Sequence, residues 1–133
     1  MYYYYLLQAH SGWRWIVLIL LVVTAIKALI GWLAKYKWGT VDTRLLLFTR
    51  IALYIQVVLG LLLYIMLQQW NDMRFTGEHV VTALLAVGAV EFGAARAKKS
   101  TESKRMYMFA FIGTALALIL VYVALLAVGG IFT

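Results

Sequence analysis

His10 and His79 are the only histidines in a chain of 133 residues that holds no cysteine. Each stands at the edge of a long apolar stretch. Imidazole is an axial ligand of haem iron, and two imidazoles at similar depth in a helix bundle can clamp one flat cofactor. Haem also needs partners for its propionates. Arg14 follows His10 by four residues and so shares its helical face, and Arg74 stands just before His79. Arginine grips a carboxylate through two parallel hydrogen bonds. Ser11, Trp13 and Trp70 are further donors near that end. The lack of cysteine excludes disulfides, thiolate metal sites, iron–sulfur clusters, covalent haem attachment and cysteine nucleophiles. A closed zinc site wants four ligands. Glu78, beside His79, is better placed to favour the positive N-terminus of a helix. The competing reading makes both histidines interfacial residues without metal. On residue types and spacing alone the two readings weigh about equally.

Lys27, Arg50 and Glu91 form a second group of interest, because each interrupts an apolar segment. Charges within a membrane are costly and tend to pair or to line a watery cavity. Glu91 is expected to bridge Lys27 or Arg50, with the other cation snorkelling to the surface. The structural pair is favoured over a proton path or an anion or quinone headgroup site. Tyr54 and Gln56 are weaker ligand candidates, whose alternative is hydrogen bonding between helices. No serine–histidine–aspartate arrangement, paired carboxylates, phosphate-binding loop or dinucleotide fingerprint accompanies them.

The elements that must position these residues follow from composition. Hydrophobic residues make up 65% of the chain and charged residues 13%, with mean hydropathy of +0.91. A soluble domain is about half apolar and about a quarter charged, so a soluble enzyme is excluded. A spanning helix needs about 20 apolar residues. Four segments qualify, at 12–34, 45–67, 79–95 and 106–128. No stretch alternates with the period of a barrel strand. The expected architecture is an all-α integral membrane protein, a single domain over 1–133. The short links favour an up-down-up-down four-helix bundle. Ala89, Gly93 and Ala97 form a small-residue stripe on the third segment, and Gly113 and Ala117 another on the fourth, which predicts close packing.

The net charge is +7, and most of the basic residues lie between the apolar segments, which suits basic loops better than nucleic-acid binding. Link one carries Lys35, Lys37 and Arg44; link three carries Arg96, Lys98, Lys99, Lys104 and Arg105. The positive-inside rule puts both in the cytoplasm and both termini outside. Tyr2 to Tyr5, Trp13, Trp15 and Trp70 then form an outer aromatic belt, and Trp32, Tyr36 and Trp38 an inner one. The first segment is too long, and lacks the basic flank, for a secretion signal. The histidines face a depth mismatch. From the inner ends of their segments, His79 is 16 residues out and His10 is 24, a gap of up to ~12 Å. Helix tilt, or an inward extension of the third helix, would narrow it.

Several stretches carry a family resemblance: His10-Ser11-Gly12, Gly31-Trp32, IQVVLGLLLY from Ile55 to Tyr64, Arg74 to His79, and Ala95-Arg96-Ala97-Lys98-Lys99. Together they resemble small bacterial four-helix membrane proteins labelled cytochrome b-like. The resemblance spans nearly the whole chain and implies histidines at the positions of His10 and His79. It departs at Tyr54, where many members have a histidine before Gln56. The expectation is an inner-membrane electron-transfer protein with one haem b near the outer face. His10 and His79 would be its axial ligands, with Arg14 and Arg74 near the propionates. It would be at most a redox subunit, serving a quinol or a larger respiratory or photosynthetic complex. The alternatives are a cofactor-free structural or assembly subunit and, third, a small proton or solute carrier using Lys27, Arg50 and Glu91.

Overall fold

The computed structural model describes the backbone of residues 2–66 and 76–126, and the side chains of residues 5–66 and 79–126. Every element in them is helical. α1 is Tyr2–Ala34 and α2 is Thr40–Met66. A π-helical turn, Thr76–Val81, runs directly into α3, Thr82–Lys99. α4 is Ser103–Leu126. All four helices are long and apolar enough to cross a membrane. Arg74 and Trp70 lie outside the described residues, as does the side chain of Glu78.

The helices outrun the apolar segments for identifiable reasons. α1 starts at Tyr2 because no proline or glycine breaks the chain before Gly12. His10 therefore sits about two turns inside its helix rather than at its start. α1 ends where Lys35 takes a left-handed conformation (φ 60°) and the Tyr36 amide reaches back to the Gly31 carbonyl at 3.0 Å. That bond closes the helix in the manner usually given to glycine. α2 begins at Thr40, earlier than the apolar run, because Asp42 caps it. The Asp42 carboxylate accepts from the Gly39 amide at 2.9 Å, which satisfies a donor at the helix start.

α1 packs on α2 and α4, and α3 lies most intimately on α4. Pairs between α1 and α2 run in opposite sequence directions. The Gln56 amide meets the His10 carbonyl (2.9 Å), Trp13 meets Ala52, Thr24 meets Thr49 and Lys27 meets Asp42. Thr49 spends its hydroxyl proton on the Leu45 carbonyl (2.8 Å), so Thr24 is the donor in the buried Thr24–Thr49 bond, also 2.8 Å. The interior is built largely of small residues. Ala52, Ala86 and Ala117 surround Val17, Leu21, Leu53 and Val90, and Ala28, Ala94 and Ala110 surround Leu46 and Tyr107.

The small-residue stripes of the third and fourth segments meet. A Cβ added at Gly93 would lie 2.6 Å from the Phe109 carbonyl oxygen and 2.9 Å from the Gly113 Cα. One added at Gly113 would lie 2.9 Å from the Ala89 carbonyl oxygen. Close approach of backbones supplies packing that greasy side chains alone do not supply in lipid.

Two of the tryptophans expected in aromatic belts find partners within the fold. Trp13 is half-buried, packs against the core, and donates its indole N–H to the Ala52 carbonyl at 2.8 Å. Trp38 donates to the Thr43 hydroxyl at 2.9 Å and lies against the Tyr107 ring, with centroids 5.0 Å apart. An indole N–H needs an acceptor wherever it is withdrawn from water, and the Ala52 carbonyl of the neighbouring helix provides one for Trp13.

Candidate functional site

His10 from α1 and His79 from the π-helical turn line one cavity of about 710 Å³. That volume lies within the roughly 300–1,000 Å³ typical of small-molecule and cofactor sites. Its walls are mainly apolar, with Leu53, Val57 and Leu61 from α2, Ala83 and Leu84 from α3, and Val121 and Leu125 from α4. Its polar lining comes from the two imidazoles, Gln8, Ser11, Arg14 and Gln56.

The depth mismatch expected from the apolar segments is narrowed because α3 runs four residues past its apolar segment, to Lys99. Measured from the inner ends of the helices, the difference falls to roughly 6 Å. His79 itself lies in the π-helical turn, a feature frequent at functional sites.

Each histidine is held in a particular way. His79 Nδ1 lies 2.7 Å from the Ala124 carbonyl oxygen. A carbonyl only accepts, so Nδ1 carries the proton in this bond. Second-shell bonds of this kind fix the tautomer and aim of metal-ligating histidines. His10 is packed against Gly60, where an added Cβ would stand 3.0 Å from His10 Cε1. His10 Nδ1 is buried with no hydrogen-bond partner, and so is the Gln56 side-chain oxygen. Orphaned buried polar atoms are rare and cost free energy. Arg14 lines the same cavity, its guanidinium 5.8 Å from the centre of the Trp15 ring. Arg74, its expected companion, falls outside the described residues. Trp13, expected as a further donor here, is occupied by Ala52.

Lys27, Arg50 and Glu91 do not form one cluster; they belong to two separate ion pairs. Arg50 grips Glu91 with two bonds, Nε to Oε1 at 2.8 Å and Nη2 to Oε2 at 3.0 Å. The Tyr54 hydroxyl donates to the same carboxylate. Lys27 pairs instead with Asp42. Asp42 is buried, and its other oxygen takes the Tyr107 hydroxyl (2.8 Å) as well as the Gly39 amide. Lys27 lies about two turns before Ala34, the end of α1, and the antiparallel α2 brings Asp42 of its own first turn alongside, so α2 rather than α3 supplies the partner.

The α2–α3 ion pair predicts an asymmetry between two substitutions. Glu91→Gln keeps a hydrogen-bonding acceptor for Arg50 and Tyr54, whereas Glu91→Lys sets two cations together. The half-exposed pair is worth little as an isolated attraction, but like charges away from water are costly. The thermal midpoint in detergent is expected to fall by several degrees more for Glu91→Lys than for Glu91→Gln. Equal, negligible changes would count against a pair that matters to folding.

Three site features were missed in the sequence. Gly60 is an isolated glycine within an apolar helix, a pattern that signals a close approach. Asp42 sits three residues after Gly39, a capping signature. Gln8 had no distinguishing signal. Among the described residues, no group of three or more histidine, cysteine, aspartate or glutamate side chains could hold a bare metal ion. Comparison of the chain with models of known families, with curated proteins and with solved structures gives no match. The functional reading therefore rests on the site itself.

Proposed function

We propose that the chain is an integral membrane protein that binds one haem b between His10 and His79 and transfers single electrons. The observation that carries this reading is the convergence of the two histidines, far apart in sequence, on one largely apolar cavity. The residues present fit the group. His79 is oriented by the Ala124 carbonyl, His10 has a buried unsatisfied nitrogen, and Arg14 offers a cation to a propionate. A bound haem would supply one-electron chemistry at its iron. The protein's part is to present two imidazoles, exclude water with the Leu53, Val57 and Leu61 wall, and hold the carboxylates. Two imidazole ligands leave no open iron position, which favours electron transfer over oxygen chemistry. The exchange partner proposed is a quinol, or a redox subunit of a larger respiratory or photosynthetic membrane complex. The deciding experiment is a reduced-minus-oxidised spectrum of wild type, His10→Ala and His79→Ala. A colourless wild type would favour the cofactor-free structural or assembly subunit instead.

Membrane insertion is supported by the outward faces of the helices. Ile19, Ile26, Leu33, Val58, Leu85 and Ile119 are all exposed, and soluble monomers rarely expose contiguous apolar surface on this scale. The reversed order of contacts between α1 and α2 supports the up-down arrangement. The cation-rich links at 35–44 and 96–105 support a bacterial inner-membrane location with both termini outward. A cysteine introduced at Lys104, an exposed position, is expected to react with an impermeant thiol reagent only after the cells are opened. Labelling of intact cells would reverse the orientation.

A further inference from the structure

At the other end of the bundle, the turn from α3 to α4 encloses a second concavity of about 270 Å³. Arg96, Lys99 and Arg105 line it, with Ser100, Thr101 and Glu102. Among the described residues, none of these three cations has a carboxylate partner in ion-pair range. Three positive charges thus face one space with a single carboxylate beside them. We propose that this concavity binds the phosphate of an anionic phospholipid headgroup.

The turn is a built one rather than a loose basic loop. The Ser100 amide closes α3 on the Ala97 carbonyl at 3.1 Å, and the Ser100 hydroxyl donates to the Arg96 carbonyl at 2.8 Å. Ser103 accepts the Trp38 amide at 2.9 Å, which ties the turn to the α1–α2 link. The Arg96 guanidinium rests over the Phe92 ring, 5.4 Å from its centre. That contact holds the cation at the junction between the apolar helix and the concavity. The α4 N-terminus opens at the same place and adds amide donors and a favourable dipole for an anion.

The surroundings distinguish a lipid phosphate from a free one. Phe109 lines the concavity, and the surface leading away from it carries exposed Phe92, Ile112 and Leu116. A phosphate arriving from solution has no use for that apolar surface, whereas acyl chains would lie along it. Basic pockets at cytoplasmic helix ends recognise anionic headgroups by this combination. The inference rests on the membrane-spanning reading and is independent of haem.

The test uses the full chain in detergent, with native mass spectrometry to count bound phosphatidylglycerol against phosphatidylcholine. Wild type is expected to retain one phosphatidylglycerol preferentially. Arg96→Gln/Lys99→Gln/Arg105→Gln is expected to weaken that binding by at least about tenfold. Lys35→Gln/Lys37→Gln/Arg44→Gln removes the same charge from the other link and is expected to change it less than about twofold. Equal losses in the two triple variants would overturn the site in favour of diffuse attraction. Displacement of the lipid by low millimolar inorganic phosphate would overturn the lipid source in favour of a free anion. Flotation with neutral phosphatidylcholine vesicles is measured separately. A chain that floats without preferring phosphatidylglycerol sinks this inference alone, and a chain that does not float sinks the spanning reading with it.

Discussion

Wild-type protein made with ample haem is expected to show a stoichiometric Soret band and a b-type difference spectrum, and His10→Ala and His79→Ala are each expected to lose them. The size of the effect follows from the number of ligands. Changing a residue that merely orients a metal ligand costs about 10–100-fold in affinity, so removing the ligand itself should cost at least as much. Both variants should fail, because the cavity contains no third histidine to take over. The two failures should differ in kind. His79→Ala leaves the Ala124 carbonyl without its donor, a modest loss at a helix end. His10→Ala opens space beside Gly60, where only an imidazole edge stands now. Helix content by circular dichroism should therefore survive in both, which separates loss of ligand from loss of fold. Arg14→Gln should retain the spectrum with reduced occupancy. A wild type without Soret absorbance ends the haem proposal, whatever the variants do.

The second large effect is expected where α3 crosses α4. In an open helix interior, replacing glycine by alanine stabilises by about 1 kcal/mol. At Gly93 the same methyl would lie 2.6 Å from a backbone oxygen that cannot rotate away. The helices must separate, and overpacking of this kind costs about 1–3 kcal/mol. The steric term wins, so Gly93→Ala should lower the thermal midpoint in detergent. Gly88 is the control, since nothing lies within 4 Å of its added Cβ. Gly88→Ala should be neutral or stabilising. Gly93→Ala/Gly113→Ala should cost less than the two single changes together, because one separation of the helices relieves both clashes. If Gly93→Ala and Gly88→Ala behave alike, the crossing is not as tight as the Gly93–Gly113 contact implies.

The fold's helical class and its four long apolar helices were legible because apolar length is a one-dimensional property. The stripe of Ala89, Gly93 and Ala97 was legible for the same reason, since helical spacing alone puts it on one face. Partner choice was not. Glu91 had two candidate cations, and only the lateral placement of α2 beside α3 gives it to Arg50. Lys27 was drawn to Asp42, a residue read as part of a link, because α2 begins a full turn before its apolar run. Trp13 looked like a belt residue because its chemistry suits an interface. Its rotation about α1 turns it inward to Ala52, and rotation is set by packing against neighbours. For the site, the residue types of His10, His79 and Arg14 carried the signal. Their meeting in one cavity depends on how α1, α2 and the start of α3 pack side by side, which no spacing rule encodes.

Tyr107 gives the chain a timetable. Its ring fills the space that a side chain at Gly31 would occupy, with contacts as close as 2.5 Å to an added Cβ, and its hydroxyl reaches both Asp42 and the Lys37 carbonyl. These partners are made 65 to 70 residues earlier than Tyr107 itself. At about 5–20 residues per second of synthesis, the first two helices wait several seconds or more with that notch empty and Asp42 held only by Lys27 and the Gly39 amide. The nascent hairpin is thus incomplete until the last helix is made. A chain cut short before Tyr107 would leave the notch beside Gly31 unfilled and Asp42 without its third partner.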